Sequence, residues 1–394
     1  MLFSFTAIQM SFIAQGYLTF QLANSATALG VVGLGWGISQ LICTPLGGVA
    51  ADRLDKRKLI VVSQAALCGT SLATAVLNQT GLIAVWQIFV MALIGGAVFA
   101  FNVPARQAWI PELVEREQLM NAVALNTSAF TFTGILGPSL FGALIALPLV
   151  GVTAAYYVMA GCFAVTVLLL LRIPSKGPAI RGERQAPLRE LLDGWSYVRR
   201  HQVLPFLLLI GFVPIVLGMP YGRFLPVFQE RVYGVSDGWL GAMGAMVAVG
   251  ALAGSLGVAS LSGTSKRSLI QLVAAIAFGV ALVLFAAAPT LPLGLIALLF
   301  VGFASNGFWA LNNTLVLGNT DEEYYGRVMS VYMLNWSVVS FAALPESALI
   351  DVIGAQRVLG GVGVLLVVLV LATALLLPGQ KRLREHEARA LQPT

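Results

Sequence analysis

Gly47-Gly48-Val49-Ala50-Ala51-Asp52-Arg53-Leu54-Asp55-Lys56-Arg57-Lys58 packs six charged residues between two long apolar runs. About twenty residues on each side are apolar enough to cross a bilayer, and the charged knot is not. It therefore reads as a tight turn at a membrane face, and its basic excess assigns that face to the cytoplasm.

The rest of the chain has the same character. Of its 394 residues, 58% are hydrophobic and 10% charged, and the mean hydropathy is +0.87. A soluble domain carries about 25% charged residues. Apolar runs of spanning length recur, and the period-2 alternation of an outer-membrane barrel is absent. The net charge of +6 lies in short loops between apolar runs, which points to topology and anionic lipid rather than nucleic acid. Cys43, Cys68 and Cys162 fall inside apolar runs without metal spacing and read as packing residues, so no metal or cofactor is expected. With almost nothing ahead of the first span, the reading allows a truncated N-terminus or a misassigned starting Met.

The sequence predicts twelve spans, at 2–21, 28–50, 59–78, 82–103, 119–147, 152–171, 203–229, 238–260, 269–288, 292–316, 327–349 and 358–377. Of the 23 Lys and Arg, 20 fall on the side of the Arg53–Lys58 knot, Arg106 counted among them. Only Arg223, Arg231 and Arg357 fall on the other. The expectation is a multi-pass plasma (inner) membrane protein with both termini cytoplasmic. Four regions follow: a six-helix half at 1–171, a cytoplasmic linker at 172–202, a second six-helix half at 203–377 and a tail at 378–394. Within the linker, Leu188, Leu191, Leu192, Trp195 and Val198 share one helical face, as in a helix lying in the membrane interface. An internal repeat supports the two halves. Lys56-Arg57-Lys58-Leu59-Ile60 corresponds to Lys266-Arg267-Ser268-Leu269-Ile270, and the stretch from Gln118 to Asn126 to that from Arg327 to Asn335. Parallel repeats of this kind lie around an axis along the membrane normal.

Gly48-x-x-x-Asp52-Arg53-x-Asp55-Lys56-Arg57-Lys58 resembles the loop 2–3 signature of the major facilitator superfamily, with Asp55 where a Gly is usual. Asn102-Val-Pro104-Ala-Arg106-Gln107, Pro111-Glu112-Leu113 and Gly326-Arg327-Val-Met-Ser are similar to a subgroup resembling the enterobactin exporter. The resemblance implies the superfamily's all-α fold and a latch. In it Asp52, with Gly48 and Arg53, faces the start of the eleventh span, and Arg57 and Arg106 are available to pair with Asp52. Charge-assisted hydrogen bonds suit a latch, since each contributes about 1.5–3 kcal/mol and is lost on separation. Gly137, Pro138 and Gly142 resemble the superfamily's exporter motif, where small residues and a proline bend allow close helix approach. Pro214, Pro220 and Pro226 predict a bent or broken seventh span.

Polar and aromatic residues at mid-depth on the helices the resemblance assigns to a cavity are Gln9, Trp36, Gln40, Asn126, Asn306, Trp309, Asn335 and Trp336. Each Asn or Gln also suits a plain interhelical hydrogen bond. All 17 acids read as loop or helix-end residues. Glu346, about 28 Å along the eleventh span from Arg327, is the nearest to an intramembrane acid. It is a proton or substrate site, or an outer-rim residue paired with Arg223 or Arg357; Arg223 has a similar rim reading.

The function expected is secondary active export of small amphipathic or apolar, drug- or siderophore-like molecules by alternating access, in antiport with protons, by a monomer embedded in lipid. The alternative is an importer or facilitator of a small uncharged metabolite. No Gly-x-x-x-x-Gly-Lys-Ser/Thr sequence is present, so an ion gradient is the expected energy source. His201 and His386 are isolated in sequence, which speaks against a membrane enzyme.

Overall fold

The computed structural model describes residues 1–147, 151–173, 187–260, 266–376 and 383; the side chains at 49, 52, 116, 187–191, 322, 330 and 333–336 lie outside that description. Among the described residues the chain is helical throughout, without strands. The helices are α1 (Leu2–Ala23), α2 (Ala26–Arg53), α3 (Lys56–Gln79), α4 (Val85–Leu113), α5 (Leu119–Ile145), α6 (Gly151–Leu171), α7 (Pro187–Arg200), α8 (Leu204–Val213), α9 (Leu225–Val227), α10 (Gly238–Ala259), α11 (Arg267–Ala287), α12 (Leu291–Gly318), α13 (Tyr325–Ile353) and α14 (Ala355–Leu376). Ten described segments are long and apolar enough to cross a membrane, and α1 and α13, of 22 and 29 residues, are long enough besides.

Local chemistry sets the ends. Asn24 takes the left-handed conformation (φ 46°) and its N–H bonds the Phe20 carbonyl, closing α1. Asp55 caps α3, accepting from Lys58 N at 3.2 Å. Gly354 (φ 91°) makes the turn between α13 and α14, a conformation that L side chains resist. The seventh span is broken where its prolines predict. After α8 come a π segment at Pro214–Gly218, a 3₁₀ segment at Met219–Phe224, α9, and a second π segment at Phe228–Val232. Each proline lacks an N–H for the α ladder, and the backbone re-registers around the gap.

The chain packs as two compact units, which follow contact rather than chain order. The first holds residues 1–187 with 223–245 and 343–348; the second holds 188–222, 246–342 and 349–394, as far as described. In the first, α3 packs on α6 and α4, and α1 on α6 and α4. The repeat-related helices of the second do the same: α11 packs on α14 and α12, and α8 on α14 and α12. The pairing of α2 with α4 has its counterpart in α10 and α12, whose backbones approach at Gly250, Gly254 and Gly302. The sequence repeat is thus a repeat of packing.

Two expectations need correction. The fourth span runs ten residues past 103, to Leu113, because Pro104 and Pro111 are accommodated within α4. Arg106 is therefore no loop cation; it lies inside the helix and is 6% exposed. Glu346 lies seven residues before the end of α13 and is buried against protein. Finally, the apolar residues of α7 divide between two faces. Gly194 and Val198 are buried, Gly194 so close to the Arg327 carbonyl that a Cβ would stand 2.6 Å from it. Tyr197 stacks on Tyr324 at 4.2 Å and donates to Asp321 Oδ2 at 2.9 Å. Leu192 and Trp195 remain exposed, so α7 is clamped to the second unit with part of its apolar surface uncovered. Residues 174–186 of the linker, 261–265 and most of the tail lie outside the described residues.

Candidate functional site

At the basic knot, the charges are largely spent on holding helices together. Asp55 caps α3. Lys56, 6% exposed, reaches Glu112 Oε1 at 2.8 Å and ties α3 to the end of α4. Arg57 donates to the carbonyls of Leu170 (3.0 Å) and Leu171 (2.6 Å), at the C-terminus of α6, where the helix dipole favours a cation. Arg57, expected to be available to Asp52, is thus occupied elsewhere. Arg53 and Gly48 are exposed, and the side chain of Asp52 lies outside the described residues. Glu112 was legible in the sequence as part of Pro111-Glu112-Leu113, but nothing in that string indicates which helix it serves.

Arg106 donates to Ser4 Oγ at 3.1 Å and lies over the Phe5 ring, 4.5 Å from its centroid. It is surrounded by helices α1, α3 and α4 rather than by solvent, since Ser4 donates in turn to Gln64 Oε1 at 3.1 Å.

At the opposite end of α1 and α2 the first unit carries a polar cluster that sequence reasoning missed. Tyr17 donates to Asp237 Oδ2 at 2.6 Å, and Gln21 donates to the Tyr17 hydroxyl. Gln229 approaches Asp237 Oδ1 at 3.4 Å and donates to the Val235 carbonyl. Arg231 donates to the backbone and side-chain oxygens of Asn24 and lies over Phe20. The partners are 207 and 220 residues apart, which is why no local signal announces them. Close by, two glycines one turn apart on α2 seat incoming chain. A Cβ at Gly30 would stand 3.0 Å from Leu344 Cα, and the Arg223 guanidinium lies directly against Gly33.

Glu346 belongs to this region. It is 7% exposed, and neither carboxylate oxygen has a hydrogen-bond partner among the described residues. The expected pairing with Arg223 or Arg357 is not made. The bend residues also meet here: Gly142 of α5 and Gly241 of α10 touch backbone to backbone, and the Pro138 carbonyl faces Gly241.

The polar and aromatic candidates scatter over both units. Gln9 lies against Gly137. Trp36 contacts Phe12 edge-on (5.3 Å) and Phe99 at a tilt (5.5 Å) and, with Ile8, Ser11, Leu67, Gly95 and Asn102, borders a cavity with room for about one water. Asn126 leaves its Oδ1 without a partner, and Gln40 is half-buried. In the second unit Asn306 donates to the Ala251 carbonyl at 2.7 Å, bonding α12 to α10, so it is an interhelical tie. Trp309 stacks on Tyr332 at 5.0 Å. The side chains of Asn335 and Trp336 are outside the described residues. No group of His, Cys, Asp or Glu arranged to hold a metal occurs among the described residues.

Comparison with known proteins agrees with this architecture. The chain is 27% identical over 333 residues to the enterobactin exporter EntS of Shigella boydii serotype 18, covering 84% of this chain and 75% of that protein. It is 27% identical over 332 residues to the multidrug efflux pump Tap of Mycolicibacterium fortuitum, covering 82% and 80%. Its fold matches the crystal structure of the nucleoside transporter NupG with a TM-score of 0.72 at 17% identity, over 94% and 96% of the two chains. The family model described as Major Facilitator Superfamily matches residues 1–345, and the chain, with its repeated helix packing, belongs to that superfamily.

Proposed function

We propose that this transporter exports small amphipathic or apolar molecules, drug- or siderophore-like, in exchange for protons by alternating access of its two repeat halves. The observation that carries the reading is Glu346. An ionised carboxylate removed from water needs a countercharge, hydrogen bonds or a proton, and here no described protein group supplies the first two. A lone acid of this kind inside a membrane helix is a natural proton carrier. Two relatives with exporter names support the direction.

In this reading the basic face is cytoplasmic, and Asp52, with Gly48 and Arg53, latches it while the opposite face is open. Arg57 steadies α3 against α6 behind the latch. The Tyr17–Asp237 and Asn24–Arg231 contacts close the opposite face. Gln9, Trp36, Gln40, Asn126, Trp309, Asn335 and Trp336 are the side chains set to meet substrate, and Gly137, Pro138 and Gly142 shape the helix that moves.

The test is accumulation of a lipophilic fluorescent dye in efflux-deficient cells, with and without a protonophore. Expressing the protein is expected to lower accumulation several-fold, and the protonophore to restore it. Asp52→Asn is expected to remove that difference at unchanged membrane levels. Normal efflux in that variant would end the latch assignment, and efflux indifferent to the protonophore would end proton coupling.

A further inference from the structure

The two repeat halves bury related polar clusters that are balanced differently. In the second half, Gln271 of α11 donates to Asn312 Oδ1 of α12 at 2.5 Å, and Asn312 Nδ2 donates to the Tyr332 hydroxyl at 2.9 Å. All three side chains are fully buried, and the cluster closes on itself, leaving one acceptor, Gln271 Oε1, unused. In the first half, the repeat equivalent of Asn312 is Asn102, and Gln64 stands on α3 about one turn beyond the position that matches Gln271. Here Ser4, Gln64, Asn102 and Arg106 are all 94% or more buried. Three polar atoms have no partner among the described residues: Gln64 Nε2, Asn102 Nδ2 and Arg106 Nη1. Every one of them is a donor.

The surplus is also a charge. The repeat positions matching Arg106 are Leu315 and Val316, which lie in an apolar core with Leu207 and Ile210. Substituting a guanidinium for an aliphatic side chain in such a place is strongly unfavourable unless an anion accompanies it. Glu112, six residues along α4, is taken by Lys56. The hydrogen bond Arg106 makes is to a neutral hydroxyl, and its face is covered by Phe5.

From this we infer that the first half contains a binding site for one compact monovalent anion, held by Arg106 Nη1 and Gln64 Nε2 beside Ser4, with Asn102 Nδ2 one turn away on α4. One guanidinium sets the charge. The complete burial of Ser4 and Gln64 admits only a small partner: a halide, or the carboxylate head of a transported molecule. The site stands apart from the direction of transport and from the role of Glu346.

Thermal unfolding of the purified full-length protein in detergent tests it, with bromide and acetate titrated separately into sodium isethionate at constant ionic strength. A saturable rise of a few degrees in the midpoint is expected for the wild type and none for Arg106→Gln. Because Arg106→Gln removes a buried group and can impair folding, Asn102→Leu and an anomalous map from bromide-soaked crystals provide a second arm. The variant is expected to weaken the response several-fold, and the map to show a peak beside the Arg106 guanidinium. Stabilisation by bromide assigns a free inorganic ion; stabilisation by acetate alone assigns a substrate carboxylate. Wild-type protein no more responsive than Arg106→Gln overturns the site. So does a response that appears only in Asp52→Asn, since Asp52 then supplies the anion.

Discussion

Glu346→Gln is expected to abolish protonophore-sensitive dye efflux while leaving substrate exchange in de-energised vesicles within about two-fold of wild type. The amide matches the carboxyl in shape, so the seat of residues 343–348 against Gly30 is preserved. What is lost is the capacity to carry a proton. Coupled efflux requires a group that is protonated on one side of the membrane and releases on the other, whereas exchange down a substrate gradient does not. A uniform loss of both activities would indicate a structural acid, and retained protonophore-sensitive efflux would remove Glu346 from the coupling step altogether. Glu346→Asp separates geometry from chemistry. It keeps the proton but draws the carboxyl back by one methylene, so coupling is expected to persist at a reduced rate. The supporting physics is the absence of any hydrogen-bond partner for either oxygen among the described residues. A rim carboxylate bound to Arg223 or Arg357 would have no such need of a proton.

The helices and their repeat were legible because lipid imposes a length and a composition on each span, and those survive in a single sequence. The broken seventh span was legible for a comparable reason, since Pro214, Pro220 and Pro226 each remove a backbone donor. Arg106 shows where that logic stops. A charge near Pro104 and Pro111 reads as a loop, yet α4 continues through both prolines, and only the surrounding helices show that the guanidinium is buried. The α7 face illustrates a related limit. Periodicity identified its apolar residues, but which of them meet protein and which stay exposed depends on Tyr324 and Arg327, more than a hundred residues away. The Tyr17–Asp237 and Asn24–Arg231 contacts had no local signature, because each is built from side chains that are unremarkable alone.

A second large effect, steric in origin, is expected at Gly241. A Cβ there would stand 2.5 Å from Gly142 Cα and 2.6 Å from the Pro138 carbonyl oxygen. Both are backbone atoms, so no rotamer change relieves the clash, and α5 and α10 must separate. Gly244 and Gly238 repeat the arrangement one turn to either side, with Pro138 Cβ at 2.8 Å and Ala146 Cβ at 2.8 Å. The helices therefore meet along a glycine seam, with close approach replacing side-chain interdigitation. Gly241→Leu is expected to reduce efflux at least tenfold by denying the protein the arrangement in which this end is shut. Gly241→Ala, which asks for a shift of a few tenths of an ångström to about one ångström, should fall between the two. Overpacking of this kind typically costs about 1–3 kcal/mol, which the unfolded state does not share, so a modest fall in thermal stability should accompany the loss of transport. Cross-linking identifies the cause. With Cys43, Cys68 and Cys162 replaced by Ser, cysteines at positions 24 and 231 take the place of a pair in direct contact. A short bifunctional thiosulfonate should join them readily in the parent and poorly in Gly241→Leu. Equal cross-linking with lost transport would mean that the seam serves substrate passage rather than closure, since the two helices would then still close over a path that the leucine blocks.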